Sequence, residues 1–303
     1  MRHFAPGKLL LSGEYAVLDG AKAISCPSHQ GQFLELHKTQ NPSTIEWQAL
    51  TEDAYCWLNI VLTTNGEILE TNDLAKAELI RALLLDAFNQ NIPGGLRVEC
   101  RLDFKREWGL GSSSTLIALL AAWAKKDAME LFFQHLTGSG YDVATALEKQ
   151  TICYQLIAPN QAKWEVVQLP SIVKKTHFLY LGEKQISSTE VLRYDRLEKQ
   201  PALVNTITQL SDALLSIQSD VELIDWMAEH ERITGLLIQQ ESHRNRRFPK
   251  LQGGFKSLGA WGGDFVWIMP LANDLEYLKG LGYTEIFPFE QMLSFKNKAP
   301  NGD

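Results

Sequence analysis

The sequence predicts an α+β fold in two parts. Three observations lead there. Segments of alternating apolar residues are mixed with segments of helical period, without the regular strand–helix alternation of a doubly wound sheet. The chain is 303 residues long, enough for two ordinary domains. Its rhythm also changes near residue 170, from strand-rich to helix-rich. We therefore expect an N-terminal domain over 1–170 and a C-terminal domain over 171–303.

The elements follow in order. Lys8 to Leu11 is an apolar strand after a Pro6-Gly7 turn. Gln32 to His37 alternates as a half-buried strand does. Tyr55 to Leu62 and Glu67 to Glu70 flank Thr64-Asn65-Gly66, a hairpin signal. Asp73 can cap a helix through about Gln90, with Leu74, Ala77, Leu79, Ile80, Leu83, Leu84 and Ala87 on its apolar face. Leu96 to Phe104 alternates again. Helical segments run from Ser113 to Leu136, Gly138-Ser139-Gly140 breaks them, and Tyr141 to Lys149 starts anew. Strands are expected at Thr151 to Ile157 and at Trp164 to Leu169. In the second half, His177 to Leu181 is a strand. Ser188 to Tyr194, Ala202 to Ile217 and Glu222 to Gln240 are helical. Gly253-Gly254 interrupts, Asp264 to Met269 is an apolar strand, and a helix at Asp274 to Gly280 and a strand at Thr284 to Phe289 follow.

Composition bounds the function. Hydrophobic residues make up 45% and charged residues 21%, as a folded globular chain requires. There are 29 basic and 36 acidic side chains, a net charge of −7, which argues against a general nucleic-acid binder. A small anionic substrate is still compatible with a local basic pocket. Cys26, Cys56, Cys100 and Cys153 form no zinc or Cys-x-x-Cys pattern and read as free thiols of a reducing compartment. No apolar run is long enough to span a bilayer and no signal core opens the chain, so a cytoplasmic protein without membrane partner is expected.

Chemistry concentrates in one loop. Gly109-Leu110-Gly111-Ser112-Ser113-Ser114 runs directly into an apolar helical stretch ending near Trp123. Glycines let a backbone approach a ligand closely, and a helix start offers unpaired N–H groups with the positive end of its dipole. Such a loop suits a phosphate, and its hydroxyls can also hold a metal ion. It is not a Walker A motif, because the Gly-x-x-x-x-Gly-Lys-Ser/Thr pattern is absent. An ordinary capped turn is the plain alternative.

Three more segments accompany it: Ala5 to Gly20, Gly138 to Ala146 and Gly254 to Val266. With their Pro-Gly-Lys, Gly-Leu-Gly-Ser-Ser, Ser-Gly-x-Asp and glycine-rich motifs in this order, the chain resembles the GHMP kinases. That group includes galactokinase, homoserine kinase, mevalonate kinase and phosphomevalonate kinase. Gly13-Glu14-Tyr15-Ala16-Val17-Leu18, Gly138-Ser-Gly-Tyr-Asp-Val-Ala144 and Gly262-Gly263-Asp264 look most like phosphomevalonate kinases, with mevalonate kinases the alternative. The resemblance implies a two-domain fold. Its N-terminal domain would be of the kind called domain 2 in ribosomal protein S5, and its C-terminal domain would be ferredoxin-like.

It also implies roles. Asp142 would be the catalytic base and Lys8 the cation that orients it. Residues 109–114 would wrap the triphosphate of ATP, and Ser113 would bind Mg²⁺. The second metal ligand would be Glu130, one residue off the mevalonate kinase spacing. Glu14, Tyr15, Ser139, Gly140, Ser188, Thr189, Lys256, Gly259, Ala260, Gly262 and Gly263 would line the small-molecule substrate. Lys184 to Thr189 resembles a loop that opens the second domain in phosphomevalonate kinases. Trp261 stands where the family has glycine and would narrow the substrate loop, or else serve as a core aromatic beside Phe265 and Trp267. The basic run His243 to Lys250 could hold an acidic substrate or be a solvated face. A monomer or homodimer is expected. A non-catalytic ligand-binding protein on the same scaffold is the reading from another class.

Overall fold

The structure is a computed structural model that describes residues 2–183, 187–259, 261 and 264–293. It falls into two compact units. The first comprises 1–7, 30–106 and 110–149; the second comprises 8–29, 107–109 and 150–303.

Strands β1 (Arg2–Ser12) and β2 (Ala23–Lys38) each pass from one unit into the other. The expected Pro6-Gly7 turn is absent, and both residues lie inside β1. The first unit continues with β3 (Thr44–Leu50), β4 (Cys56–Thr63), β5 (Ile68–Thr71), α1 (Leu74–Ala87), β6 (Leu96–Leu102), α2 (Ser112–Ala124), α3 (Ala128–His135) and α4 (Tyr141–Glu148). Its strand order is β5-β4-β3-β6-β2, antiparallel except for the parallel β3–β6 pair. The sequence reading passed over β3, although its buried Ile45, Trp47 and Ala49 alternate with polar neighbours as a strand's residues do. The helices bury Leu83, Leu84, Ile117, Leu120, Leu131 and Val143 in one cluster with the sheet residues Leu34, Trp47, Ile60 and Val98. Asp73 caps α1 by accepting from the Lys76 N–H at 3.1 Å, as expected.

The second unit holds a hairpin, β7 (Ile152–Ala158) and β8 (Gln161–Val166), in which β7 pairs with Ala23–Ser25 of β2. Then come β9 (His177–Tyr180), α5 (Ser187–Asp195), α6 (Pro201–Leu214), α7 (Asp220–Ile238), α8 (His243–Arg247), β10 (Gly254–Ser257), β11 (Phe265–Met269), α9 (Asp274–Gly280), β12 (Ile286–Pro288) and α10 (Phe289–Met292). The order β10-β11-β9-β12, all antiparallel, together with the helices between β9 and β10 and between β11 and β12, is the β-α-β-β-α-β arrangement of ferredoxin-like folds. Gly254 opens β10 and does not merely break the chain. A β-carbon at the neighbouring Gly253 would collide with the Met269 carbonyl on β11, so the close strand approach itself requires glycine there.

Candidate active site

In the first unit, the α2 loop has the geometry of an anion cradle. Gly111 is the N-cap of α2 at φ 87°, and no side chain caps the helix. The Thr115 N–H is bonded to the Gly111 carbonyl at 3.0 Å, so the Ser112, Ser113 and Ser114 N–H groups precede the helix's own ladder. Ser113 is exposed, Ser112 half-buried and Ser114 buried. Thr115 Oγ1 donates to Gln32 Oε1 at 2.7 Å, and Leu110 is buried. The apolar body of α2 is sunk in the core, which fixes its open end in place. Three N–H groups at a dipole's positive end with two glycines just before them fit a polyphosphate.

Helix α4 packs against α2 and is built the same way. Its N-cap is Gly140 at φ 82°, again without a side-chain cap. A β-carbon there would come within 2.8 Å of Met129 Cε, which a flexible side chain can relieve, so it is the left-handed backbone that favours glycine. Asp142 sits in the first turn of α4, partly exposed, above the buried Val143 to Ala146. Ser139 is buried. Glu130 lies in the first turn of α3, exposed. Its N–H is capped by Asp127 at 2.8 Å, and its carboxylate accepts from Gln134 one turn on at 3.3 Å. Among the described residues no three His, Cys, Asp or Glu side chains cluster as a metal cage. Mg²⁺ in nucleotide sites keeps water and phosphate oxygens with only one or two protein ligands, so the exposed Ser113 hydroxyl fits that donor set.

In the second unit, Lys8 Nζ donates to the Gly109 carbonyl at 3.1 Å. Gly109 has φ 65°, and a β-carbon there would strike the Asp264 carboxylate. The neighbouring Trp108 is wedged edge-on between Phe265 and Phe287, at 5.9 and 5.2 Å between ring centres.

Glu14 and Lys256 are each 1% exposed and bonded to one another. Burial raises the Glu14 carboxyl above its usual range, and the Lys256 charge offsets part of that rise. His230 beside them is held well below its ordinary value, first by burial and then by Lys256, so it is neutral. Its Nε2, 3.7 Å from Glu14 Oε2, therefore makes no ion pair there. Tyr15 is buried at φ 57°, and burial pushes its hydroxyl above the ordinary tyrosine range. It joins one cluster with Trp261, Tyr194, Ile233 and Leu237. Trp261 is thus a core aromatic, but beside Tyr15 and not beside Phe265 and Trp267.

Gly259 is a turn at φ 60° with open space around it. Ser188 and Thr189 belong to α5, with Thr189 exposed. Ala260, Gly262 and Gly263, and Lys184 to Ile186, lie outside the described residues. The basic run forms α8, where Arg244 donates to the Gly253 carbonyl at 3.0 Å and Arg247 pairs with Glu183 at 2.5 Å. The sequence reading missed Glu231, buried behind β10, whose carboxylate accepts the Ser257 N–H and hydroxyl, both at 2.8 Å. A lone glutamate within a helical pattern carries no signal of that role.

No family model and no curated protein matches the chain by sequence. Solved structures do match by shape. Mevalonate kinase from Methanococcus jannaschii superposes with a TM-score of 0.68 at 19% identity, over 94% of this chain and 96% of that one. Phosphomevalonate kinase from Streptococcus pneumoniae, in a complex with phosphomevalonate and AMPPNP, reaches 0.67 at 18%, over 93% and 95%. A D-glycero-D-manno-heptose 1-phosphate kinase from Bacteroides thetaiotaomicron reaches 0.65 at 16%, over 96% of both chains. The chain therefore has the α+β fold of GHMP kinases along nearly its whole length.

Proposed function

We propose that this protein is an ATP- and Mg²⁺-dependent small-molecule kinase, with phosphomevalonate as first substrate and mevalonate as second. The observation that carries the reading is the uncapped, glycine-flanked start of α2 on a fold shared with kinases of small alcohols and sugar phosphates. Residues 109–114 cradle the triphosphate. Their N–H groups neutralise charge on the phosphate oxygens, which is most of what phosphoryl transfer asks of a protein. Ser113 and Glu130, the latter after its side chain turns away from Gln134, would hold Mg²⁺, which would supply charge neutralisation on the phosphates.

Asp142 receives the proton of the substrate hydroxyl as its oxygen bonds to the γ-phosphorus and the bond to the β–γ bridging oxygen breaks, releasing ADP. Lys8 is the cation of the pair. Ser139, Gly140, Ser188, Thr189, Gly259, Ala260, Gly262 and Gly263 are the residues that the resemblance assigns to the alcohol site. Glu14, Tyr15 and Lys256, which the resemblance puts against the substrate, are buried, and their part here is support and not lining.

The test is ADP release across mevalonate, phosphomevalonate, homoserine and galactose. Turnover with one of the first two, and a fall of orders of magnitude in kcat for Asp142→Asn with ATP affinity nearly unchanged, is the expected result. ATP binding without turnover on any alcohol would instead make this a ligand-binding protein on the same scaffold.

A further inference from the structure

Three consecutive residues at the end of β1 are tied to the interior of the second unit by polar bonds. Ser12 Oγ lies 2.7 Å from Ser211 Oγ on α6 and 2.9 Å from His230 Nε2 on α7. The Gly13 N–H points at the same ring nitrogen at 3.4 Å. Glu14 takes the ammonium of Lys256 on β10. From the other side, two consecutive residues of β10 are fixed by buried carboxylates. Lys256 is held by Glu14, and Ser257 by Glu231 of α7. Lys256 Nζ also donates to the Ser257 carbonyl at 3.1 Å. A lysine and two glutamates are almost never this buried, and an apolar trio of similar volume would pack the same space without desolvating charge.

What the charges add is direction. Both ends of this chain of bonds lead to one glycine. Upstream on β1, Lys8 donates to the Gly109 carbonyl. Beyond β10, the Asp264 carboxylate fills the place that a β-carbon of Gly109 would take. Gly109 is gripped between two segments whose relative register the Glu14–Lys256 pair sets. We propose that Glu14 and Lys256 are positioning residues: a buried strut that fixes the Lys8-bearing strand against β10 and so holds the first glycine of the phosphate loop in place. At 1% exposure neither side chain meets a ligand. The strut rests on the phosphotransfer reading for its purpose, though not for its geometry.

The decisive variant is the double replacement Glu14→Leu with Lys256→Met, which removes both charges and leaves no uncompensated partner. The expected result is a protein that melts at or above the wild-type temperature, yet has kcat lowered about tenfold or more and KM for ATP raised, because Gly109 is no longer held in place. A merely structural pair would not separate stability from turnover in this way. The single changes Glu14→Gln and Lys256→Met are expected to be non-additive, and Lys256→Arg to restore most of kcat.

Hydrogen exchange supplies a readout independent of activity: residues 8–14 and 254–259 should gain exchange together in the double variant. Wild-type kcat in that variant, or protection unchanged in either segment, overturns the strut. If the wild type transfers no phosphoryl group, the kinase reading falls, and the exchange result alone decides the strut. Should the double variant not fold, Glu14→Asp, one methylene shorter, carries the same two measurements.

Discussion

Gly109 has no room for a β-carbon, and its left-handed backbone disfavours one by a further 1–2 kcal/mol, roughly. Gly109→Ala is therefore expected to displace either the Asp264 carboxylate or the loop itself, and to weaken nucleotide binding about tenfold or more when titrated with a fluorescent ATP analogue. Gly111→Ala meets the same backbone strain at φ 87° and serves as the comparison. His230 makes a second residue-scale prediction. Its folded value lies below its unfolded one of about 6.5, so the unfolded chain binds the extra proton first as pH falls. The stability His230 contributes is complete above that pH and is lost on acidification toward its depressed value. Glu14 and Glu231, raised by burial, act in the opposite sense, because their contribution fades as pH rises through their folded values. The stability gap between wild type and His230→Asn should thus narrow from about pH 7.5 to about pH 5 in urea unfolding. A gap constant with pH would show that His230 titrates alike in the folded and unfolded chain, and a gap that widens on acidification that it is protonated in the fold.

At the scale of elements, α7 links the two ends of the second unit's polar interior. It begins with a complete capping box, in which Ser219 and Glu222 each satisfy the other's backbone N–H. Ser219→Ala should destabilise the protein by about 1 kcal/mol in denaturant unfolding without touching turnover. Near its other end, Gly235 lies under Trp261. An alanine there would gain about 1 kcal/mol of helix propensity. Its β-carbon would meet the Trp261 ring at 3.0 Å and the Gln240 carbonyl at 2.8 Å. Overpacking of that kind costs about 1–3 kcal/mol and should outweigh the propensity, so the melting temperature falls. Trp261 sits at φ 35°, where a β-carbon is strained, and its burial with Tyr15 and Tyr194 is what holds it there. The sequence marked Trp261 as a departure from pattern but could not show which aromatic neighbours received it. Phe265 and Trp267 are near in sequence, whereas Tyr15 is near only in space.

For the whole molecule, a ligand that binds only the folded state raises stability by RT ln(1 + [L]/Kd), about 2.7 kcal/mol at a hundredfold excess over Kd. ATP with Mg²⁺ should therefore raise the melting temperature by several degrees, and AMP much less, because the proposed function puts the terminal phosphates at the α2 cradle. Equal shifts with both nucleotides would move the binding energy to the adenosine. Among the described residues no helix is long and apolar enough to cross a membrane.

The chain by itself determined what depends on neighbours a few positions apart. Asp73 before an apolar face specifies α1, Asn65-Gly66 specifies the β4–β5 hairpin, and glycines before Ser112 and Tyr141 specify two uncapped helix starts. These are local rules of backbone conformation and periodicity. Tertiary structure alone decided the rest. It drew the Pro6-Gly7 pair into β1, made a strand of Gly254 to Ser257 between β11 and α7, and made Glu14 and Lys256, expected to line the substrate, interior partners 242 positions apart. The reason is that burial and pairing are set by which distant segments meet, and a charged side chain carries no mark of its partner until the fold supplies one.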